Sequence, residues 1–333
     1  MAYLCMSAPR RRRGCVARYI AMHTAPISLP EAKPFVKWAG GKRRLLPLID
    51  RALPPGFALM RGITYVEPFV GGGAVLFHLL RAYPHTIERA IVNAINPRLM
   101  AAYRAVKHEP DALVKLLRHT QHCYEALPTD EARKDYFMEA RRRFNSGLPT
   151  DVERAATLIF LNRTCFNGLY RVNSRGDFNV AFGRYARPLI CDEATLRADS
   201  RLLQRVELAC GDFEATEERI PAGSMVYIDP PYRPLSPTAS FTAYAAEGFG
   251  DDDQRRLKRF ADRLTARQCR VMLSNSDGQA VNADDRFIAT LYADYHLHHV
   301  ETVRSVSANA QRRGRCSELL ITNYATGDHL ASL

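Results

Sequence analysis

Residues 63 to 92 constrain the fold most. Ile63 to Glu67 reads as a short strand, Gly71, Gly72 and Gly73 as a tight turn, and Ala74 to Leu80 as the opening of a helix. A second apolar run, Ala90 to Val92, reads as another strand, with a helix starting near Pro97. Strand, glycine turn, helix, strand is the first half of a doubly wound α/β sheet. At 333 residues the chain holds one large core with a smaller lobe, or two modest domains.

The pattern is then interrupted. Residues 98–160 read as mostly helical, with Ala101 to Leu117 and Asp130 to Phe144 carrying apolar residues at helical spacing. Arg141, Arg142 and Arg143 add charge to the second helix. Residues 162–188 are rich in Gly, Asn, Arg and aromatics without periodicity, which predicts a long structured loop or hairpin of the kind that binds. Strands resume with VELACGDF, ending at Gly211 and Asp212, then Met225 to Ile228, Arg270 to Ser274 and Leu319 to Thr322. The expected organisation is a basic, disordered extension over 1–30, a first core part over 31–100, an insert over 101–190 and a second core part over 191–333. Within the extension Arg10 to Arg13 form a basic cluster, and Met22 is an alternative start.

A formal net charge of +12 favours polyanionic partners, nucleic acid foremost. No run approaches the ~20 apolar residues that span a bilayer, and the N-terminus lacks the apolar core of a signal peptide. The eight cysteines form no CxxC pair, so reduced thiols in a cytoplasmic protein are expected, with no metal site. A nicotinamide enzyme would carry GxGxxG and an acidic residue ending the second strand. Here the turn is FVGGGA and the strand ends in Asn93 and Ala94. A P-loop is absent as well. Asp212 has two readings, an acceptor for an adenine amino group with Phe213 stacking on the ring, or a helix cap.

The sharpest local signal is Asp229-Pro230-Pro231-Tyr232, directly after an apolar strand. Two prolines end the strand, remove two N–H donors and leave the Pro230 carbonyl free to accept. Asp229 adds a second acceptor and Tyr232 an aromatic face. This set suits an aromatic amine such as adenine N6, whose lone pair is delocalised into the ring. Two acceptors on its two hydrogens bias the nitrogen toward tetrahedral geometry and stabilise the charge that develops as it attacks a sulfonium methyl. A base in a duplex must leave the stack to reach such a pocket.

Over about residues 34 to 324 the chain resembles the Dam-type S-adenosylmethionine-dependent DNA adenine-N6 methyltransferases. The resemblance rests on FVKWAGGK, VEPFVGGG, LNRTCFNGLYRVNSRGDFNVAFGRY, IDPPYRPLSPTASFTAYAAEGF and VMLSNSD. It implies a Rossmann-like class I methyltransferase core with a mainly helical DNA-recognition insert. It also implies that Trp38, Ala39, Lys42, Glu67, Pro68, Phe69 and Gly71 bind the methyl donor, with Asp212 and Phe213 on its adenine. Asp229, Pro230 and Tyr232 are then catalytic. Lys37, Leu169, Arg171, Arg184 and Tyr185 are implied in DNA recognition, with Phe166 and Asn167 entering the duplex near the flipped base. Arg171 suits guanine O6 and N7, while Arg175, Arg184 and Arg187 suit phosphates. GATC is the implied target, double-stranded DNA the implied partner, and a monomer the expected state.

One departure stands out. Where the family carries Asp-x-Asn after the second strand, this chain has Ala94-Ile95-Asn96. The usual carboxylate faces the ribose hydroxyls of the methyl donor. Its loss removes a charge-assisted hydrogen bond of about 1.5–3 kcal/mol, unless Asn93 or a water substitutes. Ala308 to Arg312 replaces a more glycine-rich stretch and is expected to form a basic loop near DNA. Three functions stay open: a working adenine methyltransferase; a weakened or inactive sequence-specific DNA-binding homologue, which Ala94 supports; or an enzyme for cytosine N4 or RNA adenine, since the Asp-Pro-Pro-Tyr tetrad is shared with other amino-methyltransferases.

Overall fold

Side chains alternate along each strand, so a strand in a covered sheet sends successive residues into opposite layers. In the computed structural model, which describes residues 31–233, 249–280, 282–303 and 315–327, that alternation defines two cores. Tyr65, Ala90, Val92, Met225, Tyr227, Met272 and Leu320 enter one. Val66, Ile91, Val226, Ile228, Val271, Leu273, Leu319 and Ile321 enter the other. All of these are buried, which is why the strands read as near-continuous apolar runs.

Among the described residues the sheet has seven strands: β1 (Ile63–Glu67), β2 (Ile87–Ala94), β3 (Val206–Cys210), β4 (Met225–Ile228), β5 (Arg270–Ser276), β6 (His296–Val303) and β7 (Arg315–Thr322). Their order is β3-β2-β1-β4-β5-β7-β6. The first five run parallel, and β7 runs antiparallel to both β5 and β6. This is a mixed α/β, Rossmann-like core, as the sequence predicts. Strand β6, HLHHVETV, escapes a reading by hydropathy because three histidines interrupt its apolar alternation.

The helices are α1 (Leu46–Ala52), α2 (Ala74–Ala82), α3 (Pro97–His108), α4 (Pro110–Glu125), α5 (Asp130–Ser146), α6 (Asp151–Thr164), α7 (Glu193–Leu203), α8 (Asp251–Ala266) and α9 (Phe287–Leu291). The single helix expected over Ala101 to Leu117 is two. Pro110 has no N–H to continue α3, and it occupies the first turn of α4, where none is needed. Helix α6 begins with a capping box between Thr150 and Glu153. It is buried on nearly every side, so it shows little amphipathic pattern. Helix α3 packs along α6 and also touches β2 and β3, which joins the inserted helices to the sheet. From Ala32 onward the described residues belong to one compact unit. No described helix is long and apolar enough to cross a membrane.

Candidate active site

In an open parallel sheet, ligands bind beyond the carboxyl ends of the strands where the strand order reverses. Here that point lies between β1 and β4. Asp229 to Tyr232 leave the end of β4 there, and Glu67 ends β1 beside them.

The tetrad is held by its flanks. The Gln254 amide donates to Pro231 O at 3.4 Å, and Ser276 Oγ donates to Arg233 O at 3.2 Å. Arg233 itself bridges Asp251 (2.7 Å) and Asp285 (2.6 Å). Among the described residues no hydrogen bond ends on the Pro230 carbonyl. Lys42, almost fully buried, places Nζ 2.8 Å from Asp229 Oδ1 and donates to Gly40 O at 2.8 Å. The same ammonium lies 4.7 Å over the Tyr232 ring. Burial pushes the Asp229 carboxyl above its ordinary range, and Lys42 opposes that push. The Tyr232 hydroxyl donates to Glu318 Oε2 at 2.8 Å, so β7 anchors the tetrad's aromatic ring. The arrangement offers two acceptors, Asp229 and Pro230 O, beside one ring face.

The second half of the site surrounds the end of β1. Tyr65 donates to Glu67 Oε1 at 2.6 Å. Burial pushes the Glu67 carboxyl up to about 8, and the hydrogen bond from Tyr65 only partly offsets this. A carboxyl raised by burial is one that a nearby cation would ionise. Gly71 and Gly73 have left-handed φ of +45° and +77°. A Cβ on Gly71 would sit 3.2 Å from the Trp38 ring, and one on Gly73 would sit 2.5 Å from the Tyr103 hydroxyl, so this turn admits backbone only. Pro68 is buried, Phe69 half-buried and Ala39 exposed. Buried carboxyl, bare glycine backbone and aromatic walls fit a nucleoside that carries a cationic centre.

The far end of that cleft is less equipped. Asp212 caps the turn after β3, accepting from Glu214 N at 2.9 Å, and pairs with Arg256 at 3.0 Å. Both contacts use Oδ1, so among the described residues Oδ2 has no protein partner and the capping and ligand-binding readings are compatible. Phe213 is buried under Arg256, and the accessible ring of the adjoining pair is Phe69, 5.2 Å away. Asn96 caps α3 by accepting from Arg98 N and Leu99 N, which fixes the register around Ala94. Among the described residues the Asn93 side chain engages the protein through its Nδ2 alone, so its Oδ1 keeps its acceptor capacity beside Ala94. Its amide donates to Pro68 O (3.1 Å) and Gly211 O (2.9 Å), tying the loops after β1 and β3 together.

The segment after α6 is a hairpin-like loop with antiparallel bridges Cys165–Phe182 and Val172–Phe178. At its turn Phe166 is 55% exposed and Asn167 takes a left-handed φ of 56°, an arrangement that pushes an aromatic outward. Leu169 packs against the core. Arg171 is exposed, with Nε on Asn179 Oδ1 at 2.8 Å, which pre-orients its guanidinium. Arg175, Arg184 and Arg187 are exposed, and so is Tyr185, whose carbonyl accepts from Tyr124 at 2.8 Å. Lys37 is exposed and lies against Gly168 of this loop. Three features escaped the sequence: Lys42 on Asp229, Glu318 on Tyr232, and buried Asn162 within the apolar run of α6. Only the last left a signal, a lone amide in LIFLNRT. PLSPTASFTAY, Arg10 to Arg13 and Ala308 to Arg312 lie outside the described residues.

Comparison with known proteins agrees with this geometry. Residues 38–306 match the family described as D12 class N6 adenine-specific DNA methyltransferase. The chain is 43% identical over 297 residues to Type II methyltransferase M.MjaIII of Methanocaldococcus jannaschii, covering 88% of this chain and 100% of that protein. It is 37% identical to Type II methyltransferase M1.LlaDCHI of Lactococcus lactis subsp. cremoris, covering 88% and 95%. It is 36% identical to the DNA adenine methylase of Escherichia coli (strain K12), covering 86% and 94%. These matches speak for adenine and DNA over cytosine N4 or RNA, and for S-adenosylmethionine as methyl donor. The chain belongs to the D12 class N6 adenine-specific DNA methyltransferases.

Proposed function

We propose that this enzyme methylates adenine N6 within GATC in duplex DNA, on a base flipped out of the helix. The observation that carries the reading is the pair of acceptors at the end of β4, one of them a carbonyl with no protein partner. S-adenosylmethionine supplies a methyl group on an electrophilic sulfonium. Glu67, Trp38 and the backbone around Gly71 hold it, with Asp212 toward its adenine. Asp229 and Pro230 O accept the two N6 hydrogens, and Tyr232 stacks on the base. Lys42 favours the ionised form of Asp229, so the carboxylate serves as an acceptor and takes up the proton that N6 releases. Phe166 fills the gap in the stack, Arg171 reads guanine, and Arg175, Arg184 and Arg187 meet phosphates. The protein acts as a monomer in the cytoplasm, where the DNA is.

A second reading has one observation in its favour. Ala94 carries no side-chain acceptor where the family has a carboxylate, which suits a weakened enzyme that still binds DNA. Labelled S-adenosylmethionine, taken to millimolar, separates the two on a GATC duplex and a duplex scrambled at those four positions. Label in the GATC duplex alone, recovered as N6-methyladenine, is the expected result. Equal label in both contradicts the GATC assignment. In the same assay Ala94→Asp should lower the methyl-donor KM by about ten-fold or more. An unchanged KM means the missing carboxylate is not limiting.

A further inference from the structure

Lys37 and Gly168 are far apart in sequence, yet they meet in space. A Cβ on Gly168 would lie 2.3 Å from Lys37 Cδ and 3.2 Å from its Cβ, so the lysine stem lies directly over the glycine backbone. Beneath both lies Asn162, 1% exposed near the end of α6. Its Oδ1 accepts from Lys37 N at 2.7 Å, and its Nδ2 donates to Lys37 O at 2.9 Å and to Gly168 O at 2.8 Å. One side chain therefore grips the backbone of Lys37 from both sides and the turn beside Phe166 and Asn167 from below. Two neighbours reinforce the junction: Arg163 donates to Phe35 O at 3.1 Å, and Trp38 stacks on Tyr170 with ring centroids 4.8 Å apart. Lys42, by contrast, is held by Gly40 O and Asp229, without Asn162.

We propose that Asn162 is a specificity-positioning residue, which sets Lys37 and the Phe166–Gly168 turn in register with each other against the DNA. This rests on the reading that Lys37 and the loop after α6 face DNA. The burial of an amide with three good hydrogen bonds directly after the apolar run Leu158 to Leu161 is explained by that task. Asp at this position keeps an acceptor for Lys37 N but turns a second oxygen toward two carbonyls. It should let Lys37 and the turn drift apart without emptying the core.

The test is sequence discrimination, measured as the ratio of kcat/KM on the wild type's own preferred site to that on singly substituted sites. The preferred site is first identified from a mixed-sequence duplex pool, so a wrong GATC assignment shows at that step and leaves this test intact. Asn162→Asp should reduce discrimination about ten-fold while the methyl-donor KM changes by less than about three-fold. Lys37→Ala should do the same, and the double variant should be no worse than the weaker single, because both act through one contact. Gly168→Ala, which leaves Asn162 in place but displaces the lysine stem, provides a second route to the same loss if the Asp variant does not fold. Undiminished discrimination in the folded variants, losses that multiply in the double variant, or a parallel collapse of methyl-donor KM would overturn the proposal.

Discussion

At the residue scale, the site is organised by buried charge. Lys42 and Asp229 form a recessed pair, and the ammonium also donates to Gly40 O and lies over the Tyr232 ring. Glu67, 3% exposed, has a hydroxyl partner and no cation given by the protein in its immediate hydrogen bonds, and its carboxyl is pushed up to about 8. A raised carboxyl favours the folded state in its protonated form. Its contribution is complete below the ordinary carboxylate range and is lost as pH rises through about 8. Asp199, buried with only Lys33 N on one oxygen, acts in the same direction at about 8. Stability of the ligand-free protein should therefore fall between pH 5 and 8. Glu67→Gln should flatten that fall by up to about 1.4 kcal/mol per pH unit, as read from urea unfolding at several pH values. Parallel slopes in wild type and variant would show that Glu67 does not titrate there. None of this was legible beforehand. The sequence shows which residues can be charged, but burial and pairing across β1, β4 and the Lys42 loop are properties of the packed sheet.

At the element scale, legibility followed pattern strength. β4 ends at Ile228 as its apolar run and double proline require, and the strand–turn–helix of β1 and α2 begins where its glycines predict. Helix α6 and strand β6 were not singled out, one for want of an amphipathic face and the other because histidines mask its alternation. The turn before α2 carries the most stringent local demand. Gly73 combines φ +77° with a Cβ position 2.5 Å from the Tyr103 hydroxyl and 3.0 Å from the Phe77 ring. Gly73→Ala should destabilise the fold by roughly 1–3 kcal/mol from backbone strain alone, and should weaken methyl-donor binding as Gly71 shifts with it. Chemical unfolding checks the first and equilibrium dialysis the second. Wild-type values in both would mean that the turn relaxes freely.

At the scale of the whole molecule, two binding problems converge on one strand end. In the proposed function the glycine turn after β1 receives the methyl donor, the loop after α6 brings its exposed aromatic and arginines to DNA, and the end of β4 supplies the acceptors. The net charge of +12 favours a polyanionic substrate such as DNA, through contacts that weaken with salt. The central claim is that Asp229 acts in methyl transfer and not in holding DNA. Single-turnover transfer from a preformed complex with DNA and S-adenosylmethionine tests it, comparing wild type with Asp229→Ala. The account predicts a rate lower by about 10²–10³ or more, with DNA affinity within about three-fold of wild type. A rate near wild type, or a loss matched by an equal loss of DNA binding, would contradict it.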